Sequence, residues 1–288
     1  MSLHARRSFE DEMKRSIYEY VERRGAVTRG ELARTIHVET GQPASKPARS
    51  RTYTEKRPIE PDELRAAVSE LKADGHLLEF DGKLRVALST TPAERELEGG
   101  DGTVTIRPAR EEDRAGLIET MSDVGDDGTY IVAENVVEQL ERAPALVRAN
   151  DERSRVFFVA VRREDEGGAG DESAEVAGER DEGGEVVGWL HLDGPELPSL
   201  RHTAEVTVGV RPDHRREGIG SSLLEYGLEW AEESRYRKLY QSLPATNERA
   251  IEFLEDNGWE REGKREGHYC IDDSLVDEVL LATWTDGE

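Results

Sequence analysis

The chain is poor in cysteine, in lysine and in uninterrupted apolar runs, and each shortage excludes something. Cys270 is the only cysteine, so no intrachain disulfide can form, and a reducing cytoplasm is the compartment this usage suits. A lone thiol is more often inert packing than a nucleophile, so a catalytic cysteine is not expected. No apolar run reaches the ~18 residues that cross a bilayer. Arg6, Arg7, Glu10 and Asp11 interrupt the N-terminus where a signal peptide would carry its apolar core. The expectation is a cytoplasmic chain with no membrane partner. Lysine occurs only at 14, 46, 56, 72, 83, 238 and 264, so the 39 Lys+Arg are nearly all arginine, against 63 Asp+Glu.

The formal net charge is −24, and a dense carboxylate surface of this kind stays hydrated in concentrated salt, where its self-repulsion is screened over about 3 Å at 1 M. The composition resembles that of proteins from salt-loving archaea, which makes the acidity a poor guide to substrate. The charge is unevenly spread: residues 1 to 60 hold 13 Lys+Arg and 9 Asp+Glu, so the remainder carries all of the negative excess. With 288 residues, about two domains are expected. Residues 90 to 102, TTPAERELEGGDG, lose apolar periodicity and read as a linker. Residues 163 to 185 are too polar to order and read as a disordered hairpin loop between strands Val156–Val161 and Val186–His191.

Residues 1 to 89 read as a module of their own. Met13, Ile17, Tyr18, Tyr20 and Val21 recur at helical spacing, Thr28 with Glu31 starts a second helix as a capping box, and Pro61 to Ala73 gives a third with Leu64, Ala67, Val68 and Leu71 on one face. His76 to Leu88 alternates around Asp81-Gly82, a hairpin turn. Three helices and a hairpin resemble a winged-helix domain. The basic insertion 44 to 57 suits a phosphate backbone, but Glu60, Asp62 and Glu63 in the first turn of the expected reading helix would meet phosphate with like charge. A scaffolding or homodimerising role is therefore favoured over DNA, which stays open.

Residues 210 to 231, VRPDHRREGIGSSLLEYGLEWA, read as a strand end, a turn on Gly218 and Gly220, and an amphipathic helix burying Ile219, Leu223, Leu224, Gly227, Leu228 and Ala231. A helix start leaves several N–H groups unpartnered, and their dipoles sum to about half a positive charge, so an anion sits there favourably. Gly218 and Gly220 are expected at positive φ, turning successive amides toward one pyrophosphate, with Arg215 and Arg216 adding charge.

Arg215, Gly218 and Gly220, preceded by Val210-x-Pro212, match [Gln/Arg]-x-x-Gly-x-[Gly/Ala]. The segment resembles the acetyl-CoA-binding motif of the GNAT N-acetyltransferase superfamily. Three more segments resemble that family in order: Ile106-Arg107-Pro108-Ala109 through Asp113, Asn247 through Phe253 to Gly258-Trp259, and the closing strand Val276 to Leu280. The resemblance covers about residues 103 to 285. It implies an α/β GNAT fold, a mixed β-sheet flanked by helices, with acetyl-CoA as co-substrate and no metal. Carried over by resemblance, the residues holding acetyl-CoA are Val208, Gly209, Val210, Arg215, Arg216, Glu217, Gly218, Ile219, Gly220, Ser221 and Asn247. The strand Ala204–Val210 is then expected to splay from Lys238–Leu243, so that pantetheine pairs with its free edge and the Val210 N–H polarises the thioester carbonyl. Asn247 reads equally well as a plain helix cap.

An ammonium has no lone pair, so acetyl transfer to an amine needs a base or a water chain to remove its proton. Glu205, where many relatives of the family place a glutamate, is the candidate; His202 is the alternative. The family's usual tyrosine, which protonates the departing thiolate seven residues after the motif asparagine, is replaced by Leu254. Tyr240 and Tyr269 are the nearest substitutes, although a CoA thiol with a pKa near ~8.5 tolerates leaving unaided. The acceptor pocket is expected from Ala115–Arg148 and Glu262–Asp273, and the acceptor, a small-molecule or protein amine, is not readable. The rival reading is a DNA-binding regulator whose second half senses acetyl-CoA without turnover.

Overall fold

The computed structural model describes residues 9, 11–39, 56–80, 82–88, 93–99, 102–125, 136, 140, 145–149, 154–163, 184–195 and 197–285. The expected disordered loop and most of the basic insertion lie outside these residues. In the N-terminal part, Asp11 caps α1 (Glu12–Arg24) through the Met13 amide at 2.8 Å. The capping box that opens α2 (Arg29–Thr35) is formed: the Glu31 amide donates to Thr28 Oγ1 and the Thr28 amide to Glu31 Oε2. The α3 helix (Pro61–Ala73) buries Leu64, Ala67, Val68 and Leu71 against Ile17, Val21 and Leu32. β1 (Val27–Thr28) adds to the hairpin of β4 (Leu77–Phe80) and β5 (Lys83–Val86) in the order β1-β5-β4, and β2 (His37–Glu39) pairs with β3 (Lys56–Pro58).

The rest is built on a nine-stranded sheet of β6 (Arg95–Gly99), β7 (Gly102–Pro108), β8 (Arg148–Ala149), β9 (Ser154–Arg163), β10 (Glu185–Gly194), β11 (Thr203–Val210), β12 (Lys238–Pro244), β13 (Glu260–Ile271) and β14 (Ser274–Trp284). The order is β13-β14-β12-β11-β10-β9-β7-β6, with β8 on β9, and every pairing is antiparallel except β11 with β12. Strand alternation divides the core. Val156, Phe158 and Ala160 face α5 (Ile219–Glu233) and α6 (Glu248–Asp256). Phe157, Val159 and Val161 face α4 (Arg114–Gly125) on the other side. The buried Thr120 hydroxyl donates to the Val186 carbonyl at 2.6 Å and ties α4 to β10. Among the described residues no helix is long and apolar enough to cross a membrane.

One expected boundary is corrected. Residues 95–99, read as linker for want of apolar periodicity, form β6 on the edge of the main sheet. Its side chains make it a strand that periodicity misses: Leu97 alone packs on the main core, and beside it Arg95 reaches over α5 to Glu225 at 2.6 Å and Glu229 at 2.7 Å. The N-terminal part also rests on the sheet domain. Arg85 meets Glu112 at 2.5 Å, and Gly25 lies so close to Glu111 that an added Cβ would fall 2.1 Å from its Oε1.

Candidate active site

Parallel pairing of β11 with β12 runs through only three rungs, Thr203↔Lys238, Ala204↔Leu239 and Glu205↔Tyr240. Both strands continue, to Val210 and Pro244, without pairing further. On its other side β11 stays paired with β10, Trp189 opposite Gly209, and the Arg211 amide donates to Val187 O at 2.9 Å. Antiparallel pairs alternate in hydrogen bonding, so Gly209 and Arg211 are the residues bonded to β10. The N–H and C=O groups of Val208 and Val210 therefore point into the gap toward β12. Gly209 has a packing reason: a Cβ there would sit 2.1 Å from the Trp189 ring.

At the open end of the gap the chain turns into α5. Arg216 has φ 69° and Gly218 φ 82°, both left-handed, and Gly218 is the N-cap residue. Two left-handed residues flanking Glu217 and running into a helix start gather amides into a concave anion nest. Gly220 departs from expectation. It is already helical, and its lack of a Cβ serves close packing, since a Cβ would lie 3.0 Å from the Phe253 ring and 3.6 Å from Val210. Ile219 is buried beneath the turn, while Ser221 is exposed at its rim. Arg215 donates from Nε to the Val210 carbonyl at 3.1 Å, fixing the nest to the end of β11. Glu217, between the two left-handed residues, turns to Arg162 at 3.1 Å, and the same guanidinium lies 2.7 Å from His214 Nδ1. Arg162 and His214 carry no motif of their own, and only the β9 register reveals them. Asn247 is 2% exposed and caps α6 by accepting from the Ala250 amide at 3.2 Å.

Beside the last rung and out along β12, side chains from five strands share the face opposite α5. Glu205 is half-buried opposite Asp193 of β10 and Tyr240 of β12. Burial first, then the charges of Asp193 and Glu278, push the Glu205 carboxyl above its ordinary value. Burial, Glu205 and Asp193 push the Tyr240 phenol up. Glu278 of β14 is buried, pairs with Arg265 at 2.7 Å and accepts from the Tyr269 hydroxyl at 3.1 Å. Burial and that bond to Glu278 push Tyr269 to about 12. A register shift between Arg265 and Tyr269 in β13 accompanies this inward turn of Tyr269. His202 lies below β11 in the turn, where its carbonyl accepts from the Arg237 and Lys238 amides, so the gap opens on the far side of Glu205 from it.

Residues 136–259 match the acetyltransferase (GNAT) family. The matched segment, a GNAT-family acetyltransferase domain, takes in β9 to α6 and hence the gap, the nest and Glu205. Among characterised proteins, the [ribosomal protein bS18]-alanine N-acetyltransferase of Escherichia coli K12 is 29% identical over 75 residues, 26% of this chain; the chain spans about half (51%) of that relative's length. Among solved structures, yncA of Salmonella typhimurium with its cofactor acetyl-CoA is 17% identical, covering 64% of this chain and 95% of that one at a TM-score of 0.47. The ribosomal-protein-alanine N-acetyltransferase of Brucella melitensis is 24% identical, covering 62% of this chain and 98% of that one at a TM-score of 0.42.

N-terminal to the matched segment, the pair Arg107…Asp113 has a structural purpose. Arg107 is 3% exposed and forks onto Asp113 at 2.7 and 2.9 Å, while the Arg110 amide donates to the same carboxylate at 2.7 Å. The pair anchors the chain as β7 leads into α4. Leu254, where the family's tyrosine is expected, is 1% exposed in the core, so that position supplies packing alone. Of the expected acceptor segments, α4 and β13 are formed; residues 126–135, 137–139 and 141–144 lie outside the described residues.

Proposed function

We propose that this chain transfers the acetyl group of acetyl-CoA to a primary amine. The observation that carries the reading is the three-rung pairing of β11 with β12, which leaves an unpaired strand edge running from a helix-start nest to a half-buried carboxylate. The nest amides after Gly218, with Arg215 and Arg216, would hold the pyrophosphate, and the edge at Val208 to Val210 would hold the amide-rich pantetheine arm. The bound co-substrate supplies an activated acyl carbon. Val210 already shares its carbonyl with Arg215 at the nest end. Val208, about 7 Å nearer the closed end, suits the polarisation of the thioester carbonyl better than Val210 does.

Glu205 removes the proton from the acceptor amine. A carboxyl raised by burial is a stronger base than an exposed one. The paired strand positions of Asp193 and Glu205 put two carboxylates side by side and favour a cationic acceptor. The relative named for a ribosomal-protein alanine keeps protein N-termini beside small amines among the acceptors to test. Calorimetry of acetyl-CoA binding tests the core of the reading. Gly220→Asp, which sets an anion and a Cβ against Phe253 beside the nest, should abolish measurable binding in a variant that still folds, and unchanged affinity would remove the reading.

The helices and hairpin of the N-terminal part support a winged-helix-like module in a scaffolding role, because the first turn of α3 carries Glu60, Asp62 and Glu63. A gel-shift titration with duplex DNA that shows saturable binding would overturn that role. The net charge of −24 supports adaptation to a salt-rich cytoplasm; Tm should climb between about 0.1 M and 1 M KCl as the screening length contracts.

A further inference from the structure

The tyrosine expected to protonate the departing sulfur is missing at Leu254, yet two other tyrosines stand on the sheet face that carries Glu205, Tyr240 at the closed end and Tyr269 beyond the level of Pro244. They differ in one decisive respect. The Tyr269 hydroxyl is committed to Glu278 at 3.1 Å, and ionising it would put a phenolate against a buried carboxylate. Tyr240 is the cross-strand partner of Glu205 on the last rung before the strands part, so the two side chains leave the same face about 5 Å apart at their roots. It is half-buried, and among the described residues its hydroxyl takes part in no side-chain hydrogen bond.

We propose that Tyr240 is the proton donor to the departing CoA sulfur and that Glu205, its partner on the last paired rung, restores its proton. This rests on the acetyltransferase reading. Glu205 first passes one proton of the acceptor ammonium to solvent. As the neutral nitrogen bonds to the acyl carbon, Glu205 takes the second proton. The carbon–sulfur bond then breaks with its electron pair on sulfur, and Tyr240 gives its phenolic proton there. Glu205 returns its proton to the Tyr240 phenolate across the rung that they share. One proton reaches solvent and one reaches the CoA thiol, and both side chains end as they began. The groups lining this face are Glu205 from β11, Asp193 from β10, Glu278 from β14 and Tyr269 from β13; burial and the charges of Glu205 and Asp193 keep the Tyr240 phenol protonated until sulfur departs.

The test compares wild type, Tyr240→Phe and Tyr269→Phe, each checked for an unchanged Tm. Bound CoA, without any acceptor, is titrated by the ultraviolet absorbance of its thiolate. A phenol donating to sulfur stabilises the thiolate, so in Tyr240→Phe the bound thiol should ionise about one pH unit higher than in wild type, and in Tyr269→Phe it should not move. With whichever of spermidine, n-butylamine or an alanyl peptide amide wild type acetylates fastest, Tyr240→Phe should lower kcat about 10²-fold and lose the alkaline limb of the pH profile. An unmoved thiol titration in Tyr240→Phe, or a shift confined to Tyr269→Phe, overturns the proposal while leaving the acetyl-CoA reading intact. Failure of wild type to bind CoA at all overturns both.

Discussion

The two ends of the β11–β12 gap are built by different means. The open end is one continuous turn, residues 210 to 221, whose binding groups are backbone amides set by two left-handed residues and a helix start. The closed end and the sheet face running out from it draw on β10, β11, β12, β13 and β14, and their groups are carboxylates and phenols. On the proposed reading the first end recognises a fixed anion and needs little tuning, because amides do not titrate. The second would move protons, and burial with like charge raises the groups that would do so.

The sharpest way to break the contrast is Glu205→Gln. It should lower kcat about 10²-fold with acetyl-CoA affinity nearly intact; steady-state kinetics beside calorimetry would show it, and an equal loss of affinity would mean the two ends are not separable. Next comes Arg162→Ala. Freed from its partner, the Glu217 carboxylate would be left beside the phosphates, and affinity should fall about tenfold, most at low salt. Gly218→Ala places a Cβ at φ 82° with nothing within 4 Å to meet it, so the cost is conformational alone. A loss of about 1 kcal/mol of stability by denaturant titration, with little further effect on binding, would separate the shape of the nest from its charge.

The smallest effect concerns stability. Glu205 has a folded pKa above its ordinary 4.5, so its ionisation is costly in the folded state at pH values above that raised pKa, and the cost vanishes below the unfolded value. Glu205→Gln should therefore raise Tm modestly at pH 7, with the gain disappearing near about pH 4. A variant less stable than wild type at pH 7 would mean that Glu205 is held by interactions favouring its charge.

The same contrast governs what could be read from sequence. The nest was legible because its chemistry is local, although the turn uses Arg216 and Gly218 at positive φ where Gly218 and Gly220 were expected. Glu205 was legible only through its place on the strand leading to the motif. Asp193, Glu278 and the contrast between Tyr240 and Tyr269 depend on strand order and on a register shift in β13, neither of which any window of sequence encodes. The strand β6 was missed because a single leucine, Leu97, packs on the core and charged contacts from Arg95 to α5 do the rest, which leaves no periodicity to read.

That strand bears on where the chain can be cut. A fragment beginning at residue 103, the boundary composition suggests, would strip β6 from β7 and leave Val104 and Ile106 on a bare, β-prone edge, the kind of surface on which sheets of separate molecules add to one another. It would also remove Arg95 from the acidic stripe of α5, leaving Glu225 and Glu229 to repel each other one turn apart. A fragment beginning before residue 93 keeps the edge covered and should remain monodisperse where the shorter one aggregates.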